Sequence, residues 1–219
     1  MSIAEHIDHT QLNPAAMEDD IRRLCQEALE FHFKAVCVSG SRLKLARELL
    51  SGSGIQLAAV VGFPHGNACT AAKCCEAAAY VKSGADELDI VLNIGWIRSG
   101  NEGKVGEELK RLRNTAPQVV LKLILETCYL EENEKIRACQ LACEAGWDFV
   151  KTSTGFGPAG ATLADVKLMK DTVGNTMRIK ASGGIRDYAT ALTYLEAGAS
   201  RIGTSSGPAI VRDEKKKIL

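Results

Sequence analysis

Short apolar runs recur along this chain at intervals of roughly 22–32 residues. Segments with a 3.6-residue period separate the runs, and in the first such segment Ile21, Leu24, Cys25, Ala28 and Leu29 share one face. We predict eight strands, at residues 6–10, 35–39, 57–63, 86–93, 119–126, 148–153, 178–182 and 200–204. A strand-and-helix unit repeated eight times predicts an α/β chain, folded as a single (β/α)8 barrel domain over residues 1–219.

The predicted connections differ at the two ends of the barrel. Gly84, Gly146 and Gly198 each end a helix just before a strand, which predicts a left-handed turn and a short connection at the bottom. The strand-to-helix loops are longer and hold the polar and glycine residues, so we expect the chemistry at the top. Four residues are predicted to cap helix starts: Ser41, Thr70, Thr162 and Asp187.

Side-chain alternation predicts which polar residues face the barrel axis. In strand 86–93 the apolar Leu88, Ile90 and Leu92 should pack under helices, which turns Asp89 and Asn93 inward. The same rule turns further polar residues inward: Asp8, Thr10, Lys122, Glu126, Lys151 and Lys180. For Lys122 with Glu126 or Asp8, a buried network of neutralising charges explains the pattern as well as a functional role does.

Two lysines, Lys151 and Lys180, occupy equivalent places in neighbouring units, each near the end of an apolar strand and before a turn of small residues. A lysine with an ordinary pKa, about 10.4, is protonated at neutral pH and cannot attack a carbonyl. A second ammonium ~6 Å away, at an effective dielectric constant of ~20, lowers that pKa by roughly two units, and burial lowers it further. The pair therefore predicts one amine used as a Schiff-base nucleophile and a second that tunes it.

Glycine-rich turns follow the last two predicted strands: Ser182-Gly183-Gly184 and Gly203-Thr204-Ser205-Ser206-Gly207. Backbone N–H groups in such turns can bind an anion, and this pair of loops commonly binds phosphate in (β/α)8 barrels. Simple tight turns are the alternative explanation. We also place Thr154 and Gly155, in the hydroxyl-rich turn after Lys151, at the substrate.

Composition excludes several classes of partner. The 27 basic residues balance the 27 acidic ones, so neither nucleic acid nor an acidic membrane surface is indicated. The first residues do not resemble a signal peptide, no apolar stretch approaches the ~20 residues of a membrane helix, and we expect a cytoplasmic protein. The eight cysteines form no C-x-x-C pair, which favours reduced thiols with no metal and no cofactor. Cys37 can face the barrel interior, where packing is favoured over chemistry.

Eight segments resemble the deoxyribose-phosphate aldolase family, in order from residue 7 to about residue 211. They are Ile7-Asp8-His9-Thr10, Val36-Cys37-Val38, Gly62-Phe63-Pro64, Gly84-Ala85-Asp86-Glu87-Leu88-Asp89, Lys122-Leu123-Ile124-Leu125-Glu126-Thr127, Asp148-Phe149-Val150-Lys151-Thr152-Ser153-Thr154-Gly155-Phe156, Lys180-Ala181-Ser182-Gly183-Gly184 and Arg201-Ile202-Gly203-Thr204-Ser205.

The resemblance implies a class I, metal-free carbon–carbon lyase that interconverts 2-deoxyribose 5-phosphate with acetaldehyde and glyceraldehyde 3-phosphate, a reaction of deoxyribonucleotide and carbohydrate breakdown. It implies Lys151 as the Schiff-base nucleophile, Lys180 as its activating partner and Asp89 as the acid/base group, with help from water. A last set of residues would surround the phosphate: Gly183, Gly184, Gly203, Ser205 and Ser206. We expect a homodimer or homotetramer.

Two departures from the family pattern are visible. Ser39-Gly40 stands where many members have Asn-Pro or a similar pair, which we expect to alter loop shape only. Many members have a tail that ends in tyrosine, whereas Ile218-Leu219 here contains none.

Two other functions compete with the aldolase. A phosphosugar isomerase or epimerase would need a carboxylate or histidine base and no covalent amine, and a phosphosugar-binding barrel would not require lysines facing a cavity. His9 and His65 fit polar positions around the site or structural histidines equally well.

Overall fold

The computed structural model describes residues 2–218, and its eight strands form one closed parallel barrel in which β8 pairs with β1. The strands are β1 Ile7–Gln11, β2 Ala35–Val38, β3 Gln56–Val61, β4 Glu87–Val91, β5 Val120–Ile124, β6 Phe149–Lys151, β7 Arg178–Ser182 and β8 Arg201–Thr204. The predicted (β/α)8 barrel is confirmed. The observed β4, β5 and β6 each end two residues earlier than predicted, because the polar residues at their carboxyl ends leave the ladder. Leu219, in the tail named above, lies outside the described residues.

Nine α-helices occur within residues 2–218: α1 Glu18–Phe31, α2 Leu43–Leu49, α3 Thr70–Lys82, α4 Ile94–Arg98, α5 Glu102–Thr115, α6 Glu132–Glu144, α7 Leu163–Val173, α8 Tyr188–Glu196 and α9 Gly207–Ile218. Three short 3-10 segments precede β1, α2 and α6: Ile3–His6, Gly40–Arg42 and Thr127–Tyr129. Within the same residues, no helix is long and apolar enough to cross a membrane.

The main apolar core lies between the barrel and its helices. Leu88, Ile90 and Leu92 are buried there, as the alternation along β4 predicts. The apolar face of α1 is buried except at its end, where Leu29 is exposed. Burying a leucine or isoleucine side chain stabilises the fold by about 1.5–3 kcal/mol, so this layer holds each helix against its strand.

The three predicted glycine turns are confirmed at the bottom of the barrel. Gly84, Gly146 and Gly198 have φ angles of 90°, 71° and 109°, which residues with a Cβ atom rarely adopt. In each turn the N–H after the glycine donates to the carbonyl five residues earlier, at 3.0 or 3.1 Å. These bonds satisfy carbonyls at the helix end and bring the next strand in directly.

Two of the four predicted caps are confirmed. Thr162 accepts a hydrogen bond from Asp165 N and Asp187 accepts one from Thr190 N, at 3.0 and 2.9 Å. The predictions for Thr70 and Ser41 are wrong. Thr70 is the first residue of α3, and Ser41 lies inside the 3-10 segment that precedes α2.

The interior of the barrel is divided between apolar and charged side chains. Leu12, Cys37, Ala58 and Val60 form a small apolar group with Phe63 packed against it. The strands β1, β4, β5, β6, β7 and β8 instead place charged side chains inside, which are described next.

Candidate active site

A cavity of about 450 Å³ opens at the carboxyl ends of the strands. The loops after β1, β6, β7 and β8 line it. Of the predicted site residues it contains Lys151, Thr154, Gly155, Gly183, Gly184, Gly203 and Ser205. Lys151 is the one lysine among the described residues that line this cavity.

Asp89 lies at the centre of the charged cluster beneath the cavity. Its Oδ1 accepts a hydrogen bond from Lys122 Nζ at 2.7 Å, and its Oδ2 accepts from Lys151 Nζ and Lys180 Nζ, both at 2.8 Å. Strand register produces this convergence, because Asp89 pairs with Lys122 across β4 and β5, and Lys151 pairs with Lys180 across β6 and β7. The two nitrogens that share Oδ2 lie within about 6 Å of each other, where like charges repel strongly in a buried site.

A second layer of charges lies next to this centre. Asp8 contacts Lys180 Nζ at 2.5 Å and also accepts a hydrogen bond from Arg201. Arg201 reaches Glu87 at 2.9 Å, and Glu87 contacts Lys122 at 2.5 Å. Sequence reasoning missed Glu87 and Arg201. Glu87 shares the strand parity of Asp89, and Arg201 shares that of Gly203, so the alternation rule could have found both.

The charge balance of the cluster favours a neutral Lys151. Four cations meet three carboxylates: Lys122, Lys151, Lys180 and Arg201 with Asp8, Glu87 and Asp89. When every group is ionised one positive charge is in excess, and an uncompensated buried charge is expensive. Among the described carboxylates Lys151 contacts Asp89 alone, whereas Lys122 and Lys180 each contact at least two. Lys151 is therefore the group best placed to lose a proton.

The pKa shifts follow the same division. Burial is the largest influence on Lys151 and, with repulsion from Lys180, lowers its pKa despite the attraction of Asp89. Burial acts on Lys180 in the same direction, but Asp8 and Asp89 outweigh it and raise the pKa of Lys180. Burial would raise the pKa of Asp89, yet the surrounding ammonium groups hold it well below its usual range. The site thus combines a lysine that can be neutral with a carboxylate that the neighbouring ammonium groups keep ionised while all of them are charged.

The turn after Lys151 is tied to both neighbouring strands. Thr152 Oγ1 donates to Ser182 O at 3.0 Å, and Ser182 Oγ donates to Ser153 O at 2.6 Å. On the other side Thr154 donates its N–H and its hydroxyl to Glu126. Glu126 therefore does not join the charged cluster that alternation assigned it to. Asn93 lies outside that cluster too, and caps α4 through Trp96 N.

The two glycine-rich loops meet at one end of the cavity. Gly183 and Gly184 have φ angles of 91° and 81°, and a Cβ added at Gly184 would meet no atom within 4 Å. A Cβ at Gly203 would come within 2.9 Å of Lys180 Cε, so glycine is required there by close packing. Ser205 lines the cavity, whereas the N–H of Ser206 donates to Thr204 Oγ1 at 2.9 Å. Arg186, which sequence reasoning did not assign, also lines the cavity.

Three further residues from the sequence analysis have defined surroundings. Cys37 is fully buried inside the barrel, and burial together with Asp89 raises the pKa of its thiol. His9 bonds Glu27 at 2.6 Å, and burial lowers the pKa of His9 although Glu27 opposes that shift. His65 is exposed in the loop after β3. In the part of the chain that the structure describes, no group of three or more His, Cys, Asp or Glu side chains could hold a metal ion.

A closed parallel barrel with a cavity at the carboxyl ends of its strands, lined by a lysine and underlain by a charged cluster, is typical of (β/α)8 enzymes. The sequence matches the family described as DeoC/LacD family aldolase over residues 3–213, and the chain belongs to that family. The resemblance stated from the motifs is confirmed.

Individual relatives agree with the family. The deoxyribose-phosphate aldolase of Carboxydothermus hydrogenoformans is 52% identical over 214 residues, which cover 96% of this chain and 94% of that protein. The solved structure of QR15, described as an aldolase, has a TM-score of 0.94 and 42% identity, and covers 99% of this chain and 97% of its own. The tetrameric deoxyribose phosphate aldolase from Aeropyrum pernix has a TM-score of 0.91 and 32% identity, and the match covers 99% of this chain and 92% of that chain.

Proposed function

We propose that this protein reversibly cleaves 2-deoxy-D-ribose 5-phosphate to acetaldehyde and D-glyceraldehyde 3-phosphate through a Schiff base on Lys151. One observation carries the assignment of the nucleophile. Lys151 lines the cavity and has one carboxylate partner among residues 2–218, whereas Lys122 and Lys180 are fully buried and held by two or more carboxylates. Its family and its relatives support the reaction.

The chemistry divides between the three central residues. Neutral Lys151 attacks the C1 aldehyde of the open-chain sugar, and loss of water leaves an iminium that accepts the electron pair of the breaking C2–C3 bond. The proton of the C3 hydroxyl leaves, and glyceraldehyde 3-phosphate departs. Protonation of the resulting enamine at C2 and hydrolysis of the iminium release acetaldehyde and the free lysine. We assign the proton transfers to Asp89 with water, and the lowered pKa of Lys151 to its burial together with repulsion from the ammonium of Lys180.

We assign the phosphate to the glycine-rich end of the cavity. Gly183, Gly184, Gly203 and Ser205 line that end, and α9 begins two residues after Ser205. Backbone N–H groups and the positive end of a helix dipole favour an anion there. Thr154, Gly155 and Ser206 complete the proposed substrate-binding set.

Product analysis tests the reaction and separates it from an isomerase or epimerase. Incubation of the protein with 2-deoxyribose 5-phosphate should release acetaldehyde and glyceraldehyde 3-phosphate in equal amounts. A phosphosugar isomerase or epimerase would give a rearranged five-carbon sugar phosphate and no acetaldehyde. That second result would overturn the proposal.

Three further features belong to the same proposal. We expect a homodimer or homotetramer, and the Aeropyrum pernix relative is described as tetrameric. Sedimentation or light scattering would measure the mass of the assembly. The cytoplasmic location and the single domain over residues 1–219 stay predictions.

A further inference from the structure

Glu126 combines an unfavourable backbone conformation with a buried carboxylate. It follows β5 with a φ of +53°, a conformation that a residue with a side chain rarely adopts. Its carboxylate is buried, yet no ion pair joins it to any described lysine or arginine. Backbone strain and burial of an acceptor both disfavour folding unless the surrounding contacts compensate.

The side chain of Glu126 accepts its short hydrogen bonds from the turn after Lys151, and Cys128 Sγ lies farther away, at 4.0 Å from Oε1. The N–H of Thr154 lies 3.2 Å from Oε1 and 3.3 Å from Oε2, and the hydroxyl of Thr154 donates to Oε2. Thr154 Oγ1 in turn accepts a hydrogen bond from Phe156 N at 3.0 Å. A carboxylate is an acceptor only, so it fixes the direction of the Thr154 hydroxyl and leaves its lone pair for Phe156.

The backbone on either side of Glu126 follows the same strand. Leu125 N donates to Lys151 O at 2.9 Å, and Thr127 N donates to Thr152 O at 3.0 Å. The left-handed conformation of Glu126 therefore turns its side chain toward a segment that is already held beside it. Gly157 then passes closely over the carboxylate, since a Cβ there would come within 3.1 Å of Glu126 Cδ.

The far end of the same loop is anchored at the glycine-rich side of the cavity. Ala161 N lies 3.1 Å from Ser182 O and 3.2 Å from Gly183 O. The loop after β6 thus spans from Glu126 to Gly183, and Thr154, Gly155 and Phe156 form the cavity wall between them. Gly155 is exposed there with a φ of +86°, while the N–H groups of Thr154 and Phe156 are already used.

We propose that Glu126 is a positioning residue that fixes the Thr154-Gly155-Phe156 wall against the phosphate end of the substrate, and that it acts through Thr154. This inference rests on the proposed function. The backbone N–H and the hydroxyl of Thr154 both donate to Glu126. Thr154 therefore contributes the shape of the wall, and the N–H of Gly155 is left to bind the substrate.

A double-mutant cycle tests the coupling between Glu126 and Thr154. Glu126→Gln removes the negative charge and replaces one acceptor oxygen with an NH2 donor facing Thr154, which weakens both hydrogen bonds. Thr154→Val removes the hydroxyl at nearly constant volume. Each change should raise KM for 2-deoxyribose 5-phosphate about 10–100-fold, the range expected for a lost charge-assisted hydrogen bond that orders a binding surface. The double variant should be no worse than the poorer single variant. Thr154→Ser keeps both donors and loses only a methyl group from the wall, so it should raise KM by a clearly smaller factor than Thr154→Val does.

Two comparisons separate positioning from general destabilisation. In each variant kcat/KM for unphosphorylated 2-deoxyribose should fall by a smaller factor than kcat/KM for 2-deoxyribose 5-phosphate, because the unphosphorylated sugar uses Lys151 but no anion site. Glu108→Gln is the matched control. Glu108 is also a buried carboxylate that accepts from a threonine hydroxyl, at 2.9 Å from Thr70, but it pairs with Lys73 outside the cavity. The Glu108→Gln variant should have a lower melting temperature than the wild type but the same ratio of kcat/KM for the two substrates.

Additive effects in the cycle, or equal losses on both substrates, would overturn the positioning role. A wild-type enzyme that releases no acetaldehyde from 2-deoxyribose 5-phosphate would instead overturn the proposed function. Should Glu126→Gln fail to fold, Thr154→Val and Thr154→Ser still decide the question. If KM rises much more in Thr154→Val than in Thr154→Ser, the hydroxyl that Glu126 binds is what holds the wall in place.

Discussion

Lys151 and Lys180 illustrate how much a single pair of residues reveals in the sequence. Strand alternation turned both side chains inward, and the parallel register then brought both to one oxygen of Asp89. Alternation can also place Glu87 and Arg201 inside the barrel, but it could not show that Lys180 contacts Asp8 or that Arg201 bridges Asp8 and Glu87. Those contacts depend on side-chain reach across the barrel, which periodicity does not encode.

Lys180→Leu tests the electrostatic role of the second lysine. Lys180 lowers the pKa of Lys151, so its removal should raise that pKa and move the residual pH–rate profile toward alkaline pH. The matched change is Lys122→Leu, because Lys122 bonds the other oxygen of Asp89 and lies beside Glu87. We expect its profile to shift less. An unchanged profile with near-normal turnover in Lys180→Leu would exclude the tuning role.

At the scale of elements, the ends of strands were harder to predict than their existence. Alternation assigned Asn93 and Glu126 to the barrel centre, but β4 ends at Val91 and β5 at Ile124. Beyond those points the backbone no longer alternates. Asn93 caps α4, and the positive φ of Glu126 sends its side chain to the next loop. The glycine turns were predictable because only glycine adopts their conformation without strain.

Gly184→Val tests the anion site at the scale of one loop. Gly184 has a φ of 81° with open space around it, so a valine would change the backbone of the turn rather than clash. If two charge-assisted hydrogen bonds are lost, kcat/KM for the phosphorylated substrate should fall roughly 10²–10⁴-fold, and that for 2-deoxyribose far less.

Gly174→Val is the control for this strain. Gly174 also has a positive φ, 55°, and no atom within 4 Å of an added Cβ, but it follows α7 at the other end of the barrel. It should lower stability and spare the preference for phosphate. Equal losses on both substrates in a folded Gly184→Val variant would contradict the assignment.

At the scale of the whole molecule, the repeat of strand and helix specified the closed barrel. The charged residues of the centre come from six different strands, and only Glu87 and Asp89 share a strand, β4. Only closure of β8 on β1 brings Arg201 beside Asp8. The cluster is therefore a property of the complete barrel, and its stability should depend on the ionisation of its carboxylates.

Acid unfolding measures that dependence. Burial would raise the pKa of Asp8, but Lys180, Lys122 and Arg201 outweigh it and lower the pKa to about 2. Because the folded pKa lies below the unfolded value of 3.8, the stabilisation is present above that value and is lost as the pH falls toward 2. The loss from this residue should be about 2 kcal/mol.

Urea unfolding of the wild type and of Asp8→Asn between pH 5 and pH 2 gives the comparison. The variant should start less stable and lose less free energy of unfolding over this range, because one proton uptake is missing. Parallel curves for the two proteins would show that Asp8 does not titrate in this way.

Reductive trapping tests the central claim, that Lys151 is the nucleophile, most directly. The protein is incubated with acetaldehyde, the iminium is reduced with borohydride, and peptide mass spectrometry locates the modified lysine. A lysine that faces the cavity with a lowered pKa should react first, so we predict a two-carbon adduct on Lys151 and none after Lys151→Arg. An adduct on Lys180 or Lys122 instead, with Lys151 unmodified, would contradict the account.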